Sequence, residues 1–351
     1  MGLRSYIAKR LVYSFILVII VICLNYFIFF AMPGDPYTLF ANPIRFTREQ
    51  EEQIKQFWGY YDPHWVRLLK YITNLLHWEF GVSVRSMGSV GEEMTIRLPW
   101  TLYLLGGSTL FAALLGVFLG VLVAHRRGGL FDGSQVVGSL VLMSLPTFWI
   151  GLVLILVFAV GLRWLPHALP YPMEWGSATI SFPKPLTINS QSSGALSIMI
   201  FVNPSETLRF FAGYFSHSFL PILTLTLFQY GAFLLLTRVV MIETLTEDYV
   251  VTARAKGVDE TTVLFKHALK NASLPIVTQV ALYFGSILGG AIITETVFSW
   301  PGLGTWTYDA IVTCNYPVLM AIFYVLALAM IVAIFIADLL YGVLDPRIHY
   351  G

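Results

Sequence analysis

Polar residues punctuate this chain rather than compose it. Six runs are free of charge: Leu11–Met32, Leu98–Ala124, Gly133–Leu162, Phe210–Thr237, Asn271–Thr294 and Tyr316–Ala337. Each reaches the roughly 17–25 apolar residues that a helix needs to cross a bilayer. The pattern predicts six spanning helices. The first run is too long for a signal-peptide core and passes into "MPGDP" without a small-residue cleavage site, so it is read as a retained span.

The polar segments between the runs alternate in basic content. Arg4, Lys9 and Arg10 precede the first run, Arg126 and Arg127 follow the second, and Arg254, Lys256, Lys266 and Lys270 lie between the fourth and fifth. Arg347 is in the tail, whereas the loop after Glu295 has neither Lys nor Arg. Basic loops stay on the cytoplasmic side, which places both termini and the 243–272 loop there. The 33–97 segment is basic in places, but long loops translocate largely regardless of charge.

Two long insertions then fall outside. In 33–97, "TREQ" (Thr47–Gln50) fits a capping box, and "DPHW" offers Asp62 as an N-cap with Pro63 at the first helical position. Val66, Leu69, Ile72 and Leu76 recur at helical spacing and predict an apolar face. "VGEEMTIRLP" reads as a short elbow helix leading into the second span. The 163–209 segment, rich in Pro and Ser, has little helical period and is expected to be a loop or a small β element. The insertions can be a platform for a partner or can pack on the membrane face; the residues leave both open.

Composition agrees with a bilayer setting. Hydrophobic residues make up 57% of the chain and charged ones 12%, about half the usual share for a soluble domain. A net charge of +1 leaves no basic face for nucleic acid. Cys23 and Cys314 form neither a disulfide framework nor a metal cluster. No phosphate-binding G-x-x-x-x-G-K-[ST] loop, H-E-x-x-H or G-x-S-x-G occurs, and the acidic residues Glu295 and Asp338 lie just beyond the ends of runs. Ion-coupled carriers place ionisable groups near the midplane, so their scarcity weighs against a self-contained secondary carrier. Any energy input has to come from another subunit.

The polar stretch "EDYVVTARAKGVDETTVLFKHALKNASLP", Glu247–Pro275, is far longer than a return turn requires. Thr246 is a candidate N-cap, followed by Glu247 and Asp248 at the positive end of the helix dipole, with Arg254 and Lys256 at the negative end. Gly257 stands where a left-handed C-cap is wanted, and Asp259 can cap a second helix that ends before Pro275. This predicts two short helices turned at Gly257, with small residues (Ala253, Ala255) at the corner.

That stretch resembles the cytoplasmic "EAA" loop of ABC-importer permeases. Gly257 supplies the motif glycine, while Val251-Thr252-Ala253 replaces Glu-Ala-Ala and His267-Ala268-Leu269-Lys270 replaces I-x-L-P. "DYVVTARAKGV…HALKNASLPIVT" is similar to the variant of the dipeptide/oligopeptide family. "YIAKRL", "MPGDP", "FGVSV…RLPWTLYL", "ETVFSWPGLGTW" and "DLLYGVLDPRI" resemble its B-type member in the right order. The 163–209 insert is longer than the family pattern.

The resemblance implies an all-α polytopic membrane protein with six transmembrane helices, both termini cytoplasmic and the ABC type I importer permease fold. It divides the chain into a tail and first span (1–32), an external insertion (33–97) and a permease core (98–351). It implies a location in a prokaryotic cell membrane and three kinds of partner: a second, C-type permease, two ATPase subunits and an extracytoplasmic solute-binding protein. The chain itself would bind no cofactor, with ATP and Mg on the ATPases. Ala253, Arg254, Lys256, Gly257, Leu264 and Leu269 would couple to an ATPase, the two leucines either in its groove or in the loop's own packing. Asn25, Gln229, Tyr230 and Tyr283 could line a polar path or be satisfied between helices, and "SWPGLG" (Ser299–Gly304) could lie near a gate or be a simple turn. Gly116/Gly120 and Gly285/Gly289 form G-x-x-x-G pairs suited to close packing, the latter a candidate face toward the second permease. An oligosaccharide importer of the same family, a self-contained channel or carrier, and a pore-less scaffold subunit are the alternative readings.

Overall fold

The computed structural model describes residues 3–30, 47–170, 204–290 and 292–344, and the described residues contain helices and no strand. Of the sequence features above, "MPGDP", most of the 163–209 insert and the last residues of the tail lie outside them. α1 (Leu3–Phe30) is followed by α2 (Arg48–Trp58) and α3 (His64–Leu76), then α4 (Val90–His125), α5 (Leu130–Ser144) and α6 (Thr147–Leu154). α7 (Pro204–Thr244), α8 (Asp248–Ala255), α9 (Glu260–Thr262), α10 (Leu269–Gly290), α11 (Ile292–Val297), α12 (Leu303–Val312) and α13 (Tyr316–Leu344) complete the chain.

Among the described residues, four helices are long and apolar enough to cross a membrane: Tyr6–Phe29, Val90–His125, Ala212–Thr244 and Tyr316–Leu340. The third apolar run, expected as one span, is two helices with a bend of 102° between them. Leu145 and Pro146 are both extended, and Pro146 has no N–H to continue the α5 ladder. α6 then loosens into a π-helical stretch, Ile155–Gly161. The fifth run is covered by the 22-residue α10, whose side chains are described as far as Tyr283.

Close approach of α4 and α7 sits at the centre of the fold. A Cβ on Gly116 would lie 2.5 Å from the Tyr230 carbonyl oxygen and 2.6 Å from Phe233 Cβ, and one on Gly120 would lie 2.6 Å from Thr237 Cβ. Bare glycines therefore let the two backbones touch, which is how membrane helices associate when burial gives no drive. Phe233 and Leu234 are fully buried in this seam with Ala112. The surroundings of Gly285 and Gly289 lie outside the described side chains.

The 33–97 insertion is joined to the first and last spanning helices. Trp58, Tyr71, Leu75 and Phe80 are buried with Tyr26 and Phe29 of α1 and Tyr324 of α13. The expected capping box is present: the Gln50 N–H donates to Thr47 Oγ1 at 3.3 Å, and the Thr47 N–H donates to Gln50 Oε1 at 3.0 Å. Three local expectations are corrected. Pro63, not Asp62, is the N-cap of α3, and Asp62 instead pairs with Lys70. The buried stripe of α3 runs through Leu68, Tyr71, Ile72 and Leu75, while Leu69 and Leu76 point outward. The elbow helix and second span are one helix, since Ser89 caps α4 and Pro99 sits within it.

Gly116→Leu should force α4 and α7 apart and lower stability by about 1–3 kcal/mol, as overpacking does. Gly133→Ala, with nothing within 4 Å of the added Cβ, should be neutral or mildly stabilising. Thermal unfolding of both variants in detergent checks the contrast.

Candidate functional site

The cornered segment between α7 and α10 is built by its caps. α8 starts one residue later than the sequence suggests: Glu247 is the N-cap and Thr246 donates its hydroxyl back to the Glu243 carbonyl at 2.7 Å. Arg254 occupies the last turn and Lys256 the C-cap. Gly257 adopts φ 77°, where its N–H donates to the Arg254 carbonyl at 2.9 Å and the Val258 N–H to the Ala253 carbonyl at 3.3 Å. Nothing lies within 4 Å of a Cβ built on Gly257, so the glycine is needed for its left-handed backbone and not for room inside the chain.

Asp259 then caps α9, accepting the Thr262 N–H at 2.9 Å, and the hydrogen bonds from Thr262 hold its carboxyl below the usual range. The second helix does not stop before Pro275. A π-helical stretch, Val263–Ala268, carries it unbroken into α10, which contains Pro275. The corner is closed by a two-point ion pair: Arg254 donates through Nη2 to Glu260 Oε1 at 2.7 Å and through Nε to Oε2 at 3.2 Å. Arg254 thereby holds the Glu260 carboxyl low. His125, at the end of α4, lies 3.5 Å from the same carboxylate.

Beneath the corner, Val250, Val263, Leu264 and Ala268 are buried with Val121 and Ala124 of α4 and Met241 of α7. Ala253 and Leu269 pack against this cluster. Leu264 and Leu269 thus serve the chain's own packing, and Arg254 is engaged across the corner. The outward face consists of Tyr249, Val251, Thr252, Ala255 and Lys256, with Val251 55% exposed. Tyr249, 39% exposed, stands beside it on the same open face. Sequence reading did not separate this face from the buried one because α8 makes barely two turns, too few for a periodicity signal.

The four candidate path residues do not form one site. Asn25 is buried against α13 and donates to the Met320 carbonyl at 2.9 Å. Gln229 is buried and accepts from the Thr109 hydroxyl at 3.1 Å. Tyr230 is buried in the α4–α7 seam, and the half-buried Tyr283 packs there with its ring 5.1 Å from that of Phe233. Three of the four therefore gather along α7 and α10, and Asn25 lies apart.

"SWPGLG" is more than a simple turn. Glu295, on the short α11, is fully buried, and its Oε1 accepts the Thr101 hydroxyl at 2.7 Å. Its Oε2 accepts the N–H groups of Gly304 at 2.7 Å and Thr305 at 3.1 Å, the first-turn amides of α12. Thr101 Oγ1 in turn accepts the Leu303 N–H at 2.7 Å, so its own proton is directed to Glu295. A Cβ on Gly302 would collide with both Glu295 carboxylate oxygens, which is why the loop needs glycine there. Burial pushes the Glu295 carboxyl up to about 7 against the pull of these three donors. The one sequence clue was an acidic residue ending an apolar run. A second pair had no clue at all: Asp132 of α5 accepts from Arg238 of α7 through both oxygens, at 2.7 and 2.8 Å.

Long apolar helices tied by buried polar clamps, with an anchored polar corner outside them, define a multi-pass helical membrane protein. Residues 116–350 match the family described as the binding-protein-dependent transport system inner membrane component, and the chain belongs to that family, in its dipeptide/oligopeptide branch. It is similar to the oligopeptide transport system permease protein AppB of Bacillus subtilis, 33% identical over 99% of this chain and 100% of that one. It is 35% identical to the dipeptide transport system permease protein DppB of Escherichia coli K12, over 91% of each chain. The glutathione transport system permease protein GsiC of Salmonella typhi is 33% identical over 99% of each.

A carboxyl whose folded pKa is raised stabilises the fold when protonated. Its contribution is full below the ordinary carboxylate range and is lost as pH rises through about 7. The melting temperature in detergent should therefore fall between pH 5 and 8, and Glu295→Gln should flatten that slope.

Proposed function

We propose that this chain is the transmembrane permease subunit of an ATP-driven importer for di- or oligopeptides. It forms half of the translocation pathway, beside a second homologous permease, and receives solute from an extracytoplasmic binding protein. On this reading its helices make six crossings, with the broken α5–α6 pair as the third and α10 as the fifth, and both termini lie in the cytoplasm, which the alternation of Lys and Arg supports. The names of its relatives, permeases of oligopeptide, dipeptide and glutathione transport systems, support a peptide-like solute. ATP and Mg belong to two partner ATPases, and this chain binds no cofactor of its own.

The observation that carries the coupling role is the anchored corner at Gly257. Its outer face is open, while its inner face is packed against the ends of α4 and α7. A push from an ATPase on Val251 and Lys256 would therefore move two spanning helices together. Ala253, Leu264 and Leu269 carry that push inward, and Arg254 keeps the corner stiff by its bond to Glu260.

Gly257→Val tests this reading in the reconstituted transporter. A β-branched residue in the left-handed region costs about 1–2 kcal/mol, and no described residue of this chain lies within 4 Å of the added Cβ. Solute-stimulated ATP hydrolysis and uptake should both drop at least tenfold while the spanning helices remain folded. Uptake by the purified chain alone, driven by an ion gradient, would contradict the reading.

A further inference from the structure

The break in the third apolar run sits where a membrane should not tolerate one. Contacts along α7 place it. Asp132 meets Arg238, Met143 packs on Gly231, Gly151 lies by Thr224, and the Leu169 carbonyl meets His217. These partners step steadily from one end of α7 to the other. Arg238 and His217 are about 30 Å apart along the helix at 1.5 Å per residue, close to the thickness of a hydrocarbon core. The α5–α6 pair is thus one crossing, and its corner falls near the middle.

Backbone groups are left open at that corner. Leu145 turns extended with no capping bond, and Pro146 has no N–H to offer the Leu142 carbonyl. The chain does not cover the site: Ser144 and Pro146 are exposed, and Phe148 and Trp149 are 39% and 48% exposed. Lipid offers no donor, so non-helical backbone at this depth survives only inside protein or beside water. A neighbouring transmembrane helix has already used its own amides in its ladder. Water supplies donors in every conformation of the corner.

We propose that the Ser144–Thr147 corner lines the water-filled solute path, where its open carbonyls meet water and the N–H groups of a passing peptide-like solute. This rests on the transport reading above. It assigns the path a feature that the polar side chains Asn25 and Gln229, both buried between helices, do not provide.

The test uses the complete transporter in vesicles, with Cys23 and Cys314 replaced by Ser and a single cysteine introduced. Ser144→Cys, or Phe148→Cys if the first does not assemble, is treated with membrane-impermeant trimethylammonium methanethiosulfonate. Ile20→Cys, on the exposed face of α1, is the lipid-facing reference. The expected result is modification at least tenfold faster at the corner than at Ile20→Cys, slowed by a saturating dipeptide. Modification no faster than the reference, or modification in the isolated chain that vanishes in the complex, would overturn the proposal by placing the corner against lipid or under the second permease. ATP-dependent uptake in the same vesicles separates the two claims. Intact uptake with an unreactive corner sinks this inference alone, and uptake that needs no ATP sinks the transport reading.

Discussion

The contact of α4 with α7 at Gly116 and Gly120 is the constraint from which the other arrangements follow. Two apolar helices gain little by associating in lipid, so they hold together only where their surfaces fit closely. The glycines bring one backbone against the other, and everything functional is then disposed along this pair. At one end of α4, Thr101 receives the Leu303 amide and donates to Glu295, tying the α11–α12 loop down. At the other end, Val121 and Ala124 form the floor on which the Gly257 corner rests. The bent α5–α6 pair is laid along α7 and clamped by Asp132 and Arg238. Displacing α4 relative to α7 would disturb all three.

Several polar groups in this protein are used as fasteners between distant parts of the chain. Glu295 takes three donors in a fully buried site, and its role is geometric: it caps α12 from a distance of sequence and joins it to α4. Arg254 and Glu260 do the same at the corner with about two fifths of each side chain exposed. Exposed ion pairs contribute little unless their geometry is two-pointed, as it is here. The stiffness this gives to the α8–α9 turn matters more than its stability, since a soft corner would absorb a displacement instead of passing it on.

Hydropathy made the long helices legible, because lipid imposes a rule that local chemistry cannot override. Caps were legible in part: Thr47, Asp259 and Gly257 stand where their side-chain or backbone chemistry requires them, whereas the caps expected at Asp62 and Thr246 fall one residue later. Two kinds of feature were hidden. Run length cannot report a bend, and only Pro146 in the middle of an apolar run hinted that α5 and α6 meet at an angle. Pairings distant in sequence, such as Glu295 with Thr101 or Asp132 with Arg238, leave no periodic trace. Within the corner, the residue types were visible but their facing was not. Leu264 turned out to be buried and Val251 open, which reverses the order in which hydrophobicity alone would rank them for contact.

The central claim is that the outer face of the Gly257 corner is where an ATPase subunit grips. Photocrosslinking from a benzophenone attached at Val251→Cys in the assembled transporter tests it most directly. The account predicts a crosslink to the ATPase from Val251 and from Lys256→Cys, altered in yield when ATP is bound, and none from Leu264→Cys beneath the corner. Equal yields from Val251 and Leu264, or crosslinks from Val251 to lipid alone, would contradict it.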